Sequence, residues 1–188
     1  VSVTSRRLAA AFLAAIFAAA PLVACSGSDS TSGGGGGGGG GARAGAPAAS
    51  SIVTDVRLAA AAVEAELGGP QDYFEITATT QLTNVFVAID GGTAALPYIY
   101  LDGELQPPAP AIEGVEGQTF TLDTVDFDEA TVLSGVVADL PAATIDAFSV
   151  EGGAGGFARY VISARSAQGG VLDIVVAPSG AVVEVIAL

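Results

Sequence analysis

The chain of 188 residues has no histidine, lysine, tryptophan or methionine, and a single cysteine. Each absence closes off a chemistry. Without His, the usual base for a Ser or Cys nucleophile is missing, and without Lys there is neither Schiff-base chemistry nor a P-loop. Zinc sites built from Cys and His are excluded by the same inventory. A lone cysteine has no disulfide partner within the chain, so it is free, intermolecular or modified.

Positive charge is nearly as scarce. The basic residues are Arg6, Arg7, Arg43, Arg57, Arg159 and Arg165, against twenty acids, and the formal net charge is −14. Residues 51–188 hold three arginines and nineteen acids. Phosphate backbones are bound through Lys and Arg, so nucleic acid is not expected as a partner, and direct attraction to an anionic bilayer is disfavoured as well. Hydrophobic residues make up 51% of the chain and charged ones 14%, which leaves ample apolar material for a core from Ser51 onward.

What is present begins with an address. Arg6 and Arg7 precede an apolar run, LAAAFLAAIFAAA, from Leu8 to Ala20. This is a secretory n-region and h-region, too short for a spanning helix of about 20 residues. Leu22-Val23-Ala24-Cys25 follows. An aliphatic residue, a small or aliphatic one, a small one and then Cys resembles the lipobox of bacterial lipoproteins. The resemblance implies cleavage after residue 24, with a diacylglyceryl group and an N-acyl chain (palmitate-type lipid) on Cys25. The alternatives are an ordinary secretory signal cut nearby, with Cys25 an unpaired thiol, or an uncleaved anchor. Two acyl chains would hold the protein stably on the extracytoplasmic face of the cell membrane. Residues 25–50 then read as the lipidated Cys and a Gly/Ser/Ala tether including nine consecutive glycines, with an r.m.s. reach on the order of 25–30 Å.

The remainder, 51–188, predicts an α+β domain. Ile52, Val56, Ala60, Val63 and Leu67 recur at helical spacing and stop at Gly68-Gly69, with Ser51 or Thr54 as caps. Alternating runs predict strands in DYFEITATT, NVFVAI and AALPYIYL, the last ending at Asp102-Gly103. Pro97 inside that run places it at a sheet edge or bulge. After the proline-rich QPPAPAIEG a short strand, QTFTLD, is expected. DFDEATVLSGVVADLP follows as a second helix, with Val132, Val136, Val137 and Leu140 on one face, and Phe127 stapled to Val132 over an Asp128 cap. The strands IDAFSV, FARYVISA, VLDIVVA and AVVEVIA complete the chain. Short turns make the sheet antiparallel. Helix followed by strands occurs twice, so half-repeats over 51–106 and 119–188 are one reading and an undivided α+β domain the other.

No residue stands out as catalytic, and the chain is read as a non-enzyme without cofactor or metal beyond the lipid on Cys25. The densest acids, Asp123, Asp126, Asp128 and Glu129, lack EF-hand spacing and are better explained by capping. Gly152–Gly156 reads as a hairpin loop rather than a dinucleotide fingerprint, since no βαβ unit surrounds it. The feature that suggests recognition is aromatic: Phe86, Tyr98 and Tyr100 are the candidate ligand-binding residues, with cross-strand core pairing as the alternative.

The helix-and-strand units from Phe127 to Leu188 resemble tandem PepSY-type domains, which implies an interaction module, of the kind associated with peptidase inhibition. FTLDTVDFDEATVLSGVVADL is similar to the strand-then-helix segment of the mycobacterial LppX/LprG kind of lipoprotein, which implies a lipid or glycolipid carrier with an apolar cavity under a curved sheet. The expected function is therefore a membrane-anchored envelope binding module for a protein, peptide or lipid. The carrier is second, and a carboxylate-based enzyme, which needs only two acids, is third.

Overall fold

The computed structural model describes residues 49–188. The n- and h-regions, Cys25 and the tether up to residue 48 lie outside the described residues. No helix among the described residues is long and apolar enough to cross a membrane.

Helix α1 spans Ala49–Leu67. Ile52, Val56, Ala60 and Val63 are buried as the stripe requires, and Val53 and Ala59 beside them are fully buried too. Of the expected stripe, only Leu67, in the last turn, is exposed. Gly68 ends the helix at φ 81, and the N–H groups of Gly68 and Gly69 both donate to Glu64 O at 2.9 Å, a left-handed stop that favours glycine. The caps expected at Ser51 and Thr54 are not caps: α1 begins before them, at Ala49, and Thr54 Oγ1 donates to Glu129 Oε2 at 3.0 Å.

The strands are β1 Tyr73–Thr79, β2 Thr83–Ile89, β3 Ala94–Leu101, β4 Glu104–Leu105, β5 Ile112–Glu113, β6 Thr144–Gly152, β7 Ala158–Arg165, β8 Val171–Val176 and β9 Val182–Ala187. They form one antiparallel sheet of order β4-β3-β2-β1-β6-β7-β8-β9, with β5 also paired to β3. At its centre β1 meets β6, with Ile76 opposite Val150 and Ala78 opposite Phe148. From this pair each half runs outward as a meander. With two helices on this sheet the fold is α+β, and strands dominate it.

Alternation assigns the two faces. Ile76, Val85, Tyr98, Phe148, Val150, Ile162 and Ile174 share one core with the apolar side of α1. Glu75, Thr77, Phe86, Ser149, Val161 and Asp173 follow the other parity and turn to the opposite face.

Pro97 sits where its missing N–H costs nothing. β3 pairs with β4 at Tyr100 and Leu101 and with β5 at Ala94 and Ala95. Between these contacts Pro97 O accepts from Ala109 N at 2.9 Å, so its backbone faces the outer edge, as the ring demands.

Two expectations are corrected. QTFTLD is not a strand: Phe120 makes an isolated bridge to Tyr73, and Leu122–Thr124 then winds into a single 3-10 turn. The second helix shrinks to α2, Ser134–Asp139. Thr131 O accepts both Ser134 N at 2.8 Å and Ser134 Oγ at 2.6 Å, which holds the preceding residues in tight turns. Val132 and Val136 are buried, but Val137 is 58% exposed and leaves the expected face.

Candidate functional site

The aromatic candidates separate across the sheet. Val85 faces Tyr98, Thr83 faces Tyr100 and Phe86 faces Pro97. Tyr98 and Tyr100 therefore lie on the α1 side, two residues apart on β3, while Phe86 lies on the other side beside Glu75. The structure brings the two tyrosines together and not the phenylalanine.

Tyr98 forms the wall of a shallow pocket of about 230 Å³, completed by Glu66, Leu105, Gln106, Pro107 and Pro108. Local rules build it. Asp102-Gly103 turns β3 into β4, with Asp102 at φ 53 and Gly103 at φ 84. Gln106 N then donates to Ile99 O at 2.8 Å and Ala109 N to Pro97 O, which lays the prolines along the edge of β3. Glu66 arrives from the last turn of α1. Burial raises the pKa of the Tyr98 hydroxyl, and the Glu66 carboxylate adds to the effect. Apolar ring and proline surfaces under one carboxylate suit an uncharged or cationic side chain, and they hold no nucleophile and base. Sequence reading missed Glu66, Pro107 and Pro108; QPPAPA registered only as a break between strands.

The acids of the 123–129 segment are each occupied structurally. Thr121 Oγ1 donates to Asp123 Oδ1, Tyr160 Oη to Asp126 Oδ1 at 2.8 Å, and Ala130 N to Asp128 Oδ1 at 2.8 Å. Glu129 Oε1 pairs with Arg57 Nε at 3.1 Å. Among the described residues no group of three or more acids is placed to hold a metal ion. Gly152–Gly156 is the expected hairpin connection, with Ala154–Gly156 a single 3-10 turn.

The other two arginines among the described residues are tied down too. Arg159 meets Glu151 at 3.4 Å and Arg165 meets Asp146 at 2.8 Å. On the face opposite α1, a polar row crosses the sheet: Thr77 Oγ1 lies 2.7 Å from Ser149 Oγ and donates to Glu75, and Ser163 Oγ donates to Asp173 Oδ1 at 2.8 Å. The Thr77–Ser149 and Ser163–Asp173 contacts run between strands and stiffen the sheet.

The chain matches no protein-family model, no curated protein and no solved structure in comparisons over its length.

Proposed function

We propose that the chain is an envelope lipoprotein, anchored through lipid on Cys25 at the extracytoplasmic face of the membrane, whose acidic α+β domain is a non-enzymatic module that binds a protein or peptide. Leu22-Val23-Ala24-Cys25 behind its n- and h-regions is the observation that carries the anchor. The Tyr98–Pro107–Pro108 pocket with Glu66 at its rim supports binding of a small apolar or cationic side chain, and Phe86, buried on the other face of the sheet, is not part of it.

The lipid carrier is the second reading. What favours the plain module over it is the filled space between α1 and the sheet: Val53, Ala59, Ala60 and Val63 have no exposure, and Tyr73 Oη comes within 3.4 Å of Ala60 O. Side chains occupy the position a carrier reserves for acyl chains. The half-repeats over 51–106 and 119–188 fit a duplication, because the strand order runs symmetrically outward from the β1–β6 pair while the second helix has shortened.

Two measurements test this function. Replacing Cys25→Ser is expected to move the protein from the membrane to the soluble fraction of the host, and a protein that stays on the membrane would show the anchor to be wrong. Solvent extraction of the protein purified from its host, followed by mass spectrometry, is expected to release no stoichiometric lipid. Recovery of one lipid per chain replaces the module by the carrier.

A further inference from the structure

The two edges of the sheet are treated differently. The β3 edge is covered by β4 and β5 at its ends and by Pro97 and the proline loop between them. Short pairs, a proline and a covering loop are the usual defences against edge-to-edge association. The β9 edge has none of these. Its sequence is VVEVIA, with no proline and no basic residue.

The backbone direction of β9 follows from its pairing. Leu188 N donates to Val171 O at 3.0 Å, and Asp173 faces Ile186 while Ile174 faces Val185. Antiparallel alternation then turns the N–H and C=O of Glu184 and Ile186 toward β8, and those of Val185 and Ala187 outward. No strand among the described residues pairs with that outer side. The side chains beside it are apolar and open: Val183 is 67% exposed, Val185 47% and Leu188 73%.

We propose that β9 is a self-association edge at which two copies of this chain pair antiparallel about a two-fold axis through Ile186. In this register Val185 of each copy faces Ala187 of the other, and about four backbone hydrogen bonds form from the outward groups. Ile186 meets Ile186 of the second copy, and Glu184 meets Leu188. The register therefore keeps the strand's one acid from lying directly opposite its counterpart, the arrangement that like charges oppose, and apolar side chains pair with each other elsewhere. Self-pairing through a two-fold axis is also the commonest closed symmetry. One strand pair is a small interface, so the dimer is weak, with a dissociation constant on the order of tens of micromolar. The inference does not depend on the lipid anchor.

The test is the mass of the full chain in detergent by light scattering, as a function of protein concentration. The wild type is expected to approach twice the protomer mass toward about 1 mM. Val185→Pro removes an outward N–H that no strand among the described residues pairs with, so it spares the sheet; at least a tenfold weakening of association is expected, with an unchanged circular dichroism spectrum. The chain carrying Cys25→Ser and Ile186→Cys has a single thiol. It is expected to form a disulfide dimer on mild oxidation, because Cα atoms in a non-hydrogen-bonded pair lie about 4.5 Å apart. A wild type that stays monomeric throughout, or association that is unaffected by Val185→Pro, overturns the proposal. Efficient dimerisation of the wild type with no cross-link at 186 overturns the register.

Discussion

The Tyr160 hydroxyl stands between two groups of one residue: it donates to Asp126 Oδ1 at 2.8 Å and accepts from the Asp126 backbone N–H at 3.0 Å. Its ring packs edge-on against Phe127, with centroids 5.5 Å apart, and stacks on Phe148. One side chain on β7 thereby fixes the loop that leads into α2. Tyr160→Phe keeps the ring and removes both hydrogen bonds, so a loss of about 1–3 kcal/mol in urea unfolding is expected. An unchanged midpoint and slope would show that the clamp contributes nothing.

The same hydroxyl makes stability depend on alkaline pH. Burial pushes the Tyr160 pKa up to about 12, with the Asp126 carboxylate adding to it. Burial, reinforced by Glu64, raises Tyr73 as well. An unfolded tyrosine titrates near pH 10. Between the two values the unfolded chain has released a proton that the folded chain retains, so stability is complete below about pH 10 and falls as pH rises, by about 1.4 kcal/mol per pH unit for each tyrosine. Denaturant unfolding between pH 8 and 12 is expected to show this decline, made shallower by Tyr160→Phe. A flat profile above pH 10 contradicts the assignment.

Gly152 is fixed by contact rather than by φ. A Cβ there would lie 1.9 Å from Gln118 O, and Gly152 is held in register against Ala158 of β7, so its strand cannot yield cheaply. Gly152→Ala is expected to cost more than about 2 kcal/mol. Gly169→Ala, where φ is +89 and nothing lies within 4 Å, carries only the left-handed penalty of about 1–2 kcal/mol. Thermal melts of the two variants separate the cases, and equal shifts would remove the steric explanation.

Arg57 and Arg165 both form ion pairs, but only Arg57 does more. Its guanidinium lies 4.5 Å from the Phe127 ring centroid and donates to Phe127 O at 3.2 Å. Arg57→Ala is therefore expected to destabilise by about 1 kcal/mol, and Arg165→Ala, at a solvent-exposed pair, by less than can be measured. Denaturant midpoints check the order, and the reverse order would contradict it.

The elements governed by local rules were legible in the residues themselves. β3 was readable end to end because alternation stops at Asp102-Gly103, and Pro97 announced the edge before any pairing was known. The Asp128 cap was not, since α2 begins at Ser134 with no side-chain cap and Asp128 Oδ1 accepts from Ala130 N in the turns before it. What else failed depended on contacts distant in sequence. Thr54 looked like a cap, but its partner is Glu129. α2 looked twice as long, but Asp128 N donates to Pro178 O at 3.3 Å, and a Cβ at Gly135 would lie 2.0 Å from Gly180 O. Phe86 looked like a neighbour of Tyr98, but that depended on register, and β2 and β3 meet with Phe86 opposite Pro97. The pocket was hidden for the same reason: Glu66 and Pro107 are forty-one residues apart, and no periodicity relates them.

The β1–β6 seam also governs how the chain finds its fold. Every other neighbouring pair on the path from β4 to β9 is joined through a short stretch of sequence, and each can zip soon after its turn forms. Ile76 and Val150 must instead close a loop across the middle of the protein, an entropic cost that precedes any gain from their burial. Two meanders that assemble separately and then join along one seam make that encounter the rate-limiting event, and substitutions at Ile76 or Val150 will slow folding more than they speed unfolding.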